Sequence, residues 1–338
     1  MRILVTGSAG HLGEALIRSM SAKGHEAVGL DIQASEFTHH VGSITDPDCV
    51  EHCMRGIDAV VHAATLHKPH VATHTRQQFI DTNVTGTLNL LEAARRAAVG
   101  SFVFTSTTST FGDAMRPAPG EPAVWVTENL RPAPKNIYGV TKLCAEGLCR
   151  MFARNQDLPC IVLRTSRFFP EEDDNINKRQ AFTDDNLKVN ELLFRRADIQ
   201  DMVSAHELAI EKAPELGFET FIVSASSPFR ESDAAELGRD TPAVVQRYVP
   251  GYVEEYENRG WKMFHSIGRV YDNRHAREVL GWRPQYDFEH AIGALREGRD
   301  YRSELAIQVG SKGYHDQVFA DGPFPVEETP DIEAGHDR

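Results

Sequence analysis

Tyr138 and Lys142 stand four residues apart in a stretch that reads as helix, so both side chains leave one face. A tyrosine that takes a proton from an alcohol near pH 7 needs its pKa of about 10 lowered by roughly three pH units, on the order of 4 kcal/mol. A nearby ammonium and a positively charged bound cofactor ring can together supply that. A hydroxyl beside them would hydrogen-bond the substrate oxygen. Thr107, at the end of the apolar run Ser101–Ser106, is the candidate, with Ser106 and Thr108 as neighbours. On its own a Tyr-x-x-x-Lys spacing is common on solvated helix faces, so its meaning rests on what surrounds it.

The surroundings begin at residue 2. Ile3, Leu4 and Val5 form the short apolar run of a strand buried on both faces. Gly7, Gly10 and Gly13 follow at intervals of three, and a helix is predicted over 11–22, stopped by Gly24. Strand, glycine turn and helix together make a phosphate cradle, because the helix start presents unpaired N–H groups and a positive dipole end. A second strand over His25–Leu30 ends on Asp31, 24 residues after Gly7, where a ribose-binding carboxylate belongs in a dinucleotide fold. An acidic side chain there accepts bonds from ribose hydroxyls and repels a 2′-phosphate, which favours NAD over NADP.

Further strands are predicted at Val41–Ile44, Ile57–Ala64, Ser101–Ser106 and Pro159–Arg164. Between them lie a helix capped by Asp46-Pro47, a long helix over about 75–98 and another from Asn136 to about Asn155. Ala63 and Ala64 are small enough for a cofactor to lie against the backbone. This alternation predicts an α/β fold: a doubly wound parallel Rossmann sheet with a smaller, mostly helical C-terminal substrate domain. The expected division is 1–165 for the NAD-binding domain, with 198–227 returning to it. Residues 166–197 and 228–312 form the substrate region, and 313–338 an acidic tail or arm. Residues 113–136 read as a loop. A helix over about 200–212, a strand over Glu219–Ser224 and later helices at Asn273–Gly281 and Phe288–Glu297 complete the reading.

Composition narrows the class. Of the 338 residues 41% are apolar and 25% charged, as in an ordinary globular protein. A formal charge of -13 argues against nucleic acid or an anionic membrane as the main partner, and no apolar run approaches the roughly 20 residues of a membrane span. With a strand starting at residue 2 no signal peptide is expected. The five cysteines match neither a CxxC pair nor a zinc spacing, and read as free thiols of a cytoplasmic protein. The histidines at 67, 70 and 74 lack a zinc pattern, and no metal site is expected.

Taken together, Thr6-Gly7-Ser8-Ala9-Gly10-His11-Leu12-Gly13, Asp31, His62-Ala63-Ala64, Asn83, Thr105-Ser106-Thr107 ahead of Phe111-Gly112, and Tyr138-Gly139-Val140-Thr141-Lys142 resemble the extended short-chain dehydrogenase/reductases, which include NAD-dependent sugar epimerases and dehydratases. Leu280-Gly281-Trp282-Arg283-Pro284 resembles the family's closing motif. The resemblance covers nearly the whole chain. It implies that Tyr138 is the catalytic acid/base, Lys142 its electrostatic partner and Thr107 the substrate-oxygen anchor. It places NAD against Gly7, Gly10, His11, Leu12, Gly13, Asp31, Ile32, Ala63, Ala64, Thr65, Asn83, Thr105, Ser106, Tyr138 and Lys142. It also implies a homodimer paired through the helices at about 75–98 and 138–155.

The departures bear on substrate. Relatives acting on nucleotide-linked sugars usually carry an asparagine shortly after the arginine of the sixth strand, and here Arg167 stands in its place. The Asp-Glu pair of dehydratases is replaced by Thr108 and Ser109, which lowers that reading. The Arg164-x-x-x-x-x-Pro170-Glu171 pattern looks somewhat like uronate dehydrogenases, where a basic residue grips a sugar carboxylate. Thr107, Thr108, Arg167 and Arg269 are the expected substrate contacts, within a set of cations that includes Lys178, Arg179, Arg195 and Arg196. The leading reading is an NAD-dependent epimerase of a sugar, nucleotide-linked in its first version, acting through transient oxidation of a hydroxyl carbon. The alternatives are a dehydrogenase of a free sugar or sugar acid, and a non-catalytic NAD-binding regulator.

Overall fold

The computed structural model describes residues 1–313. Seven parallel strands form the central sheet: β1 (Arg2–Thr6), β2 (Glu26–Asp31), β3 (His40–Val41), β4 (Ala59–His62), β5 (Ser101–Thr107), β7 (Cys160–Thr165) and β8 (Phe218–Val223), in spatial order 3-2-1-4-5-7-8. β6 (Val124–Val126) lies outside it. Every residue of β5 and β7 is buried, as central strands of a two-sided sheet require. One face carries α1 (His11–Ala22) and α8 (Ile199–Leu216), and the other α2 (Pro47–Cys53), α4 (Gly86–Arg96) and α5 (Ile137–Gln156).

Local chemistry explains where these elements begin and end. Asp46 caps α2, accepting from the Asp48 and Cys49 N–H groups, and Asn136 caps α5 through the Gly139 N–H. Gly24, at φ +82°, ends α1. α8 runs four residues past its expected end, through Pro214. Proline has no N–H for the Ile210 carbonyl, and the Ser101 hydroxyl donates to that oxygen instead at 2.7 Å.

Three expectations need correction. The third strand is only two residues long, because Ser43 turns the chain: its hydroxyl accepts from Thr45 N–H at 3.1 Å and its carbonyl from Asp46 N–H. The long helix over 75–98 is α3 (Arg76–Ile80) and α4 joined by a π turn, Asp81–Thr85, that contains Asn83. The stretch over 113–136 is not all loop, since β6 pairs in parallel with β9 (Arg269–Tyr271) as a separate small sheet.

Residues 166–197 and 228–312, expected to form the substrate region, are otherwise helical: α6 (Ile176–Ala181), α7 (Asp184–Leu192), α9 (Ala234–Leu237), α10 (Thr241–Tyr248), α11 (Tyr252–Arg259), α12 (Phe288–Arg296) and α13 (Glu304–Val309), the last unexpected from the sequence. Within the helix expected over 273–281 the structure has a π turn, Ala276–Leu280. Of the expected acidic tail, 314–338 lies outside the described residues. No described helix is long and apolar enough to cross a membrane.

Asp201 fastens the closing motif to α8. Its two carboxyl oxygens accept from Gln285 and Tyr286 N–H, both at 2.9 Å, while buried Trp282 donates its indole N–H to the Ser204 hydroxyl at 3.0 Å. Burial pushes the Asp201 carboxyl up from 3.8 to about 7, against the pull of those two N–H groups. The folded state therefore holds this proton more tightly than the unfolded chain, and the contribution is lost as pH rises through about 7. Chemical denaturation of Asp201→Asn and the parent between pH 5 and 8 should show this slope in the parent alone. The variant, lacking one acceptor oxygen, should be less stable than the parent by about 1–3 kcal/mol at pH 5, and the gap should narrow as pH rises.

Candidate active site

A cleft of about 1100 Å³ opens at the C-terminal ends of the sheet strands. At one end is the glycine turn. Gly7 has φ +76°, and a Cβ on Gly13 would lie 2.0 Å from the Gly7 carbonyl oxygen, so α1 can start against the turn only if residue 13 has no side chain. No side chain caps α1, and Gly10, His11, Leu12 and Gly13 line the cleft, which leaves the first-turn N–H groups for an anion. Asp31 holds the turn from β2: one carboxylate oxygen accepts from Ala9 N–H at 3.0 Å and the other from Gln33 N–H at 2.9 Å. Ile32, Ala63, Ala64 and Thr65 complete this half. A pyrophosphate on the turn and a ribose against Asp31 fit these residues, so the dinucleotide expected from the sequence has a cradle.

His62 is structural. Its ring is buried between the Thr6 hydroxyl at 2.8 Å and the Thr87 hydroxyl at 2.9 Å, and burial holds it well below the usual histidine range. Thr6 passes the contact on, accepting from Ala64 N–H at 3.1 Å and so fixing the wall opposite Gly7.

Asn83 lies behind the cleft wall. Its side-chain oxygen accepts from Leu66 N–H and the Thr65 hydroxyl, and its NH₂ donates to the Leu66 carbonyl and the Thr141 hydroxyl. With four bonds made, the amide pins the 65–66 backbone to α5 and has no capacity left for a ligand. It shapes the cofactor wall rather than lining it.

The hydroxyls at the end of β5 divide their work. Thr105 donates to His206 Nε2 at 2.8 Å, because His206 Nδ1 faces the Met202 carbonyl and must carry the ring proton. Ser106 donates to Glu146 at 2.6 Å, and Glu146 holds Arg164 in a two-point ion pair stacked on Phe111. Both line the cleft with these hydroxyls already engaged. Thr107 lies near enough to Tyr138 to favour its ionised form, and its hydroxyl accepts from Ser109 N–H at 3.1 Å. Thr108 lies beside it on the cleft wall.

Tyr138 is 9% exposed and Lys142 1%, with the ammonium 4.0 Å above the Phe104 ring. Burial pushes the Tyr138 hydroxyl up to about 12, opposed by nearby Thr107, and pushes the Lys142 amine down to about 7. The lowering expected from the sequence needs the ammonium and the bound cofactor ring together, and in the free chain desolvation prevails. Lys142 is itself only part-charged near neutrality.

The opposite end of the cleft is cationic. Arg167 lines it, but its guanidinium meets Asp173 at 2.5 Å, Glu191 at 3.4 Å and Asp174 at 3.6 Å. Glu191 is fully buried, yet despite that opposing burial Arg195, Arg167 and Arg196 hold its carboxyl well below the usual range. Arg195 and Arg269 also line the cleft, and each keeps a buried Nε without a hydrogen-bond partner. The sequence offered Arg195 only as one of several cations, and gave no sign of the carboxylates that balance Arg167. Among the described residues no group of three or more His, Cys, Asp or Glu side chains is placed to hold a metal.

Comparison with known proteins agrees with this geometry. A model of the NAD dependent epimerase/dehydratase family matches residues 3–216. A UDP-glucose 4-epimerase of Rhizobium meliloti (strain 1021) is 27% identical over 325 residues, covering 84% of this chain and 93% of that protein. A short-chain dehydrogenase/reductase superfamily protein from Agrobacterium tumefaciens, solved with bound NAD, superposes with a TM-score of 0.62 at 23% identity, covering 91% of this chain and 99% of that one. A mutated uronate dehydrogenase gives 0.57 at 20% identity, covering 88% and 86%.

Adding a single methyl group tests the cradle. Gly13→Ala should abolish the thermal shift that NAD confers while the far-ultraviolet dichroism keeps its α/β form. An unchanged shift would mean that the turn tolerates a side chain where the 2.0 Å approach forbids one.

Proposed function

The chain belongs to the NAD dependent epimerase/dehydratase family, and from that premise we propose that it is an epimerase of a nucleotide-linked sugar. The observation that carries the chemistry is Tyr138 beside Thr107 on the wall of a cleft that runs from the glycine turn to a cationic end. NAD, when bound, supplies the acceptor and donor of hydride. The chain's own residues handle the proton and the substrate. Tyr138 accepts the proton of the substrate hydroxyl at its phenolic oxygen and later returns it. Thr107 keeps that oxygen in place and presents its hydroxyl to the substrate. Lys142, close behind the wall on the same helix face, stabilises the phenolate to the extent that it is protonated.

Two features support a diphosphate rather than a lone carboxylate. Arg195 and Arg269 line the cleft as separate guanidiniums, each with a buried unpartnered Nε although Arg195 Nη2 is paired with Glu191 and Asp173, and an anion with charge spread over several oxygens suits such a divided pair. Arg167, the residue suited to a carboxylate, is already balanced by Asp173, Glu191 and Asp174. The second reading, a dehydrogenase of a free sugar acid, rests on Arg167 standing where nucleotide-sugar relatives keep asparagine.

A homodimer is also inferred. Val140, Cys144, Gly147 and Met151 form an exposed stripe along α5 at intervals of four, three and four, beside exposed Leu88 on α4. This is the spacing of a helix-pairing seam. Sedimentation should give a dimer that Val140→Arg converts to monomer without loss of NAD binding.

With NAD present, UDP-, GDP- or dTDP-sugars should raise the melting temperature and free uronates should not. Turnover should leave no steady reduced-cofactor absorbance. Accumulation of NADH on a uronate would establish the dehydrogenase instead. Tyr138→Phe should keep the NAD-induced shift and lower turnover by about 10²- to 10⁴-fold.

A further inference from the structure

Beyond the sugar chemistry, the end of the described chain closes on the cofactor half of the cleft. α13 is anchored on α1 and α8, with Leu305 and Val309 buried. Gly310, at φ +59°, then turns the chain so that Lys312 and Gly313 line the cleft alongside the glycine turn. Two carboxylates hold these last residues. One oxygen of Glu171 accepts from the Ser311 hydroxyl at 2.9 Å, Lys312 N–H at 3.2 Å and Gly313 N–H at 3.1 Å. The Lys312 ammonium pairs with Glu14, a carboxylate 2% exposed on the first turn of α1, whose other oxygen is taken by Arg18 at 2.7 Å.

His11 belongs to the same corner. Its ring is 7% exposed and stacked 6.0 Å from Phe168, with neither nitrogen hydrogen-bonded. Glu14 and Glu171 are close enough to raise its affinity for a proton, yet burial prevails. A polar ring left dry and unpartnered, with a second buried Glu171 oxygen also unpartnered, indicates a corner closed over by chain.

What closes it is held weakly. Ser311, Lys312 and Gly313 are exposed and bury no apolar side chain, and among the described residues the Glu171 and Glu14 contacts are what hold them. The anchor at α13 is apolar and firm, while the segment beyond Gly310 is held by polar, reversible contacts. We propose that Ser311–Gly313 form a strap, hinged at Gly310 and latched by Glu171 and Glu14, that retains the dinucleotide and must lift for it to exchange. Such a strap serves an enzyme that regenerates its own cofactor each turnover, because it slows the loss of reduced cofactor between half-reactions. It would equally slow a dehydrogenase at product release.

Displacement of 1,N⁶-etheno-NAD by excess NAD reads the exchange rate directly, with no substrate needed. Lys312→Met and Glu171→Ala should each release the fluorescent dinucleotide about tenfold faster or more, with association unchanged or faster. Because Lys312→Met leaves Glu14 short of a partner, the double variant Glu14→Gln/Lys312→Met removes the ion pair without stranding a buried charge. Release within twofold of the parent in the folded members of this set overturns the strap. Slower association with unchanged release also overturns it, since that would mark a damaged site rather than an opened one.

Discussion

Only hydrogen fits at the side-chain position of residue 13. The Gly7 carbonyl oxygen occupies the space where a Cβ would stand, and this contact draws the start of α1 down onto the end of β1. From that approach follow the uncapped helix start, the opening between α1 and β4, and the position of Asp31, whose carboxylate ties the turn back to β2. Gly7 is equally confined on its other side, since a Cβ there would lie 2.8 Å from Ala64 N. The cofactor half of the cleft is therefore set by backbone packed on backbone. Side chains refine it from behind, as Thr6, His62 and Asn83 do through hydrogen bonds that never reach a ligand.

The reactive half works by a different physics. There the chain excludes water before it supplies charge: Tyr138 and Lys142 are both buried, and burial moves each away from its useful ionisation state. In the free protein the Tyr138 hydroxyl thus stays protonated while the Lys142 amine is only part-charged near neutrality. In the proposed reaction, the charge that favours the phenolate is then completed by the bound cofactor.

Much of this was legible in local sequence. The glycine spacing, the aspartate at the end of β2 and the Tyr-x-x-x-Lys face are short-range patterns, and chain order alone places them on one edge of a parallel sheet. What sequence could not supply were the partners brought in from afar. Arg167 reads as an available clamp until Asp173 and Glu191 are seen around it, and Asn83 reads as a ligand contact until its four bonds are counted. β6 is three residues of a proline-rich stretch, and nothing near it announces a partner more than a hundred residues later. The two π turns were equally hidden, since a single extra residue per turn leaves the apolar period almost unchanged.

That β6–β9 pair has a consequence for how the protein is made. Its register joins Val124 to Arg269, so the small sheet cannot close until the ribosome has released nearly the whole chain. The strands that carry the glycine turn, Thr107 and Tyr138's neighbours meet partners close by in sequence, and long-range pairings are slow because loop closure precedes their reward. The strands behind the glycine turn can therefore pair before Arg269 has been made, and the wall that bears it joins a sheet whose register is already set.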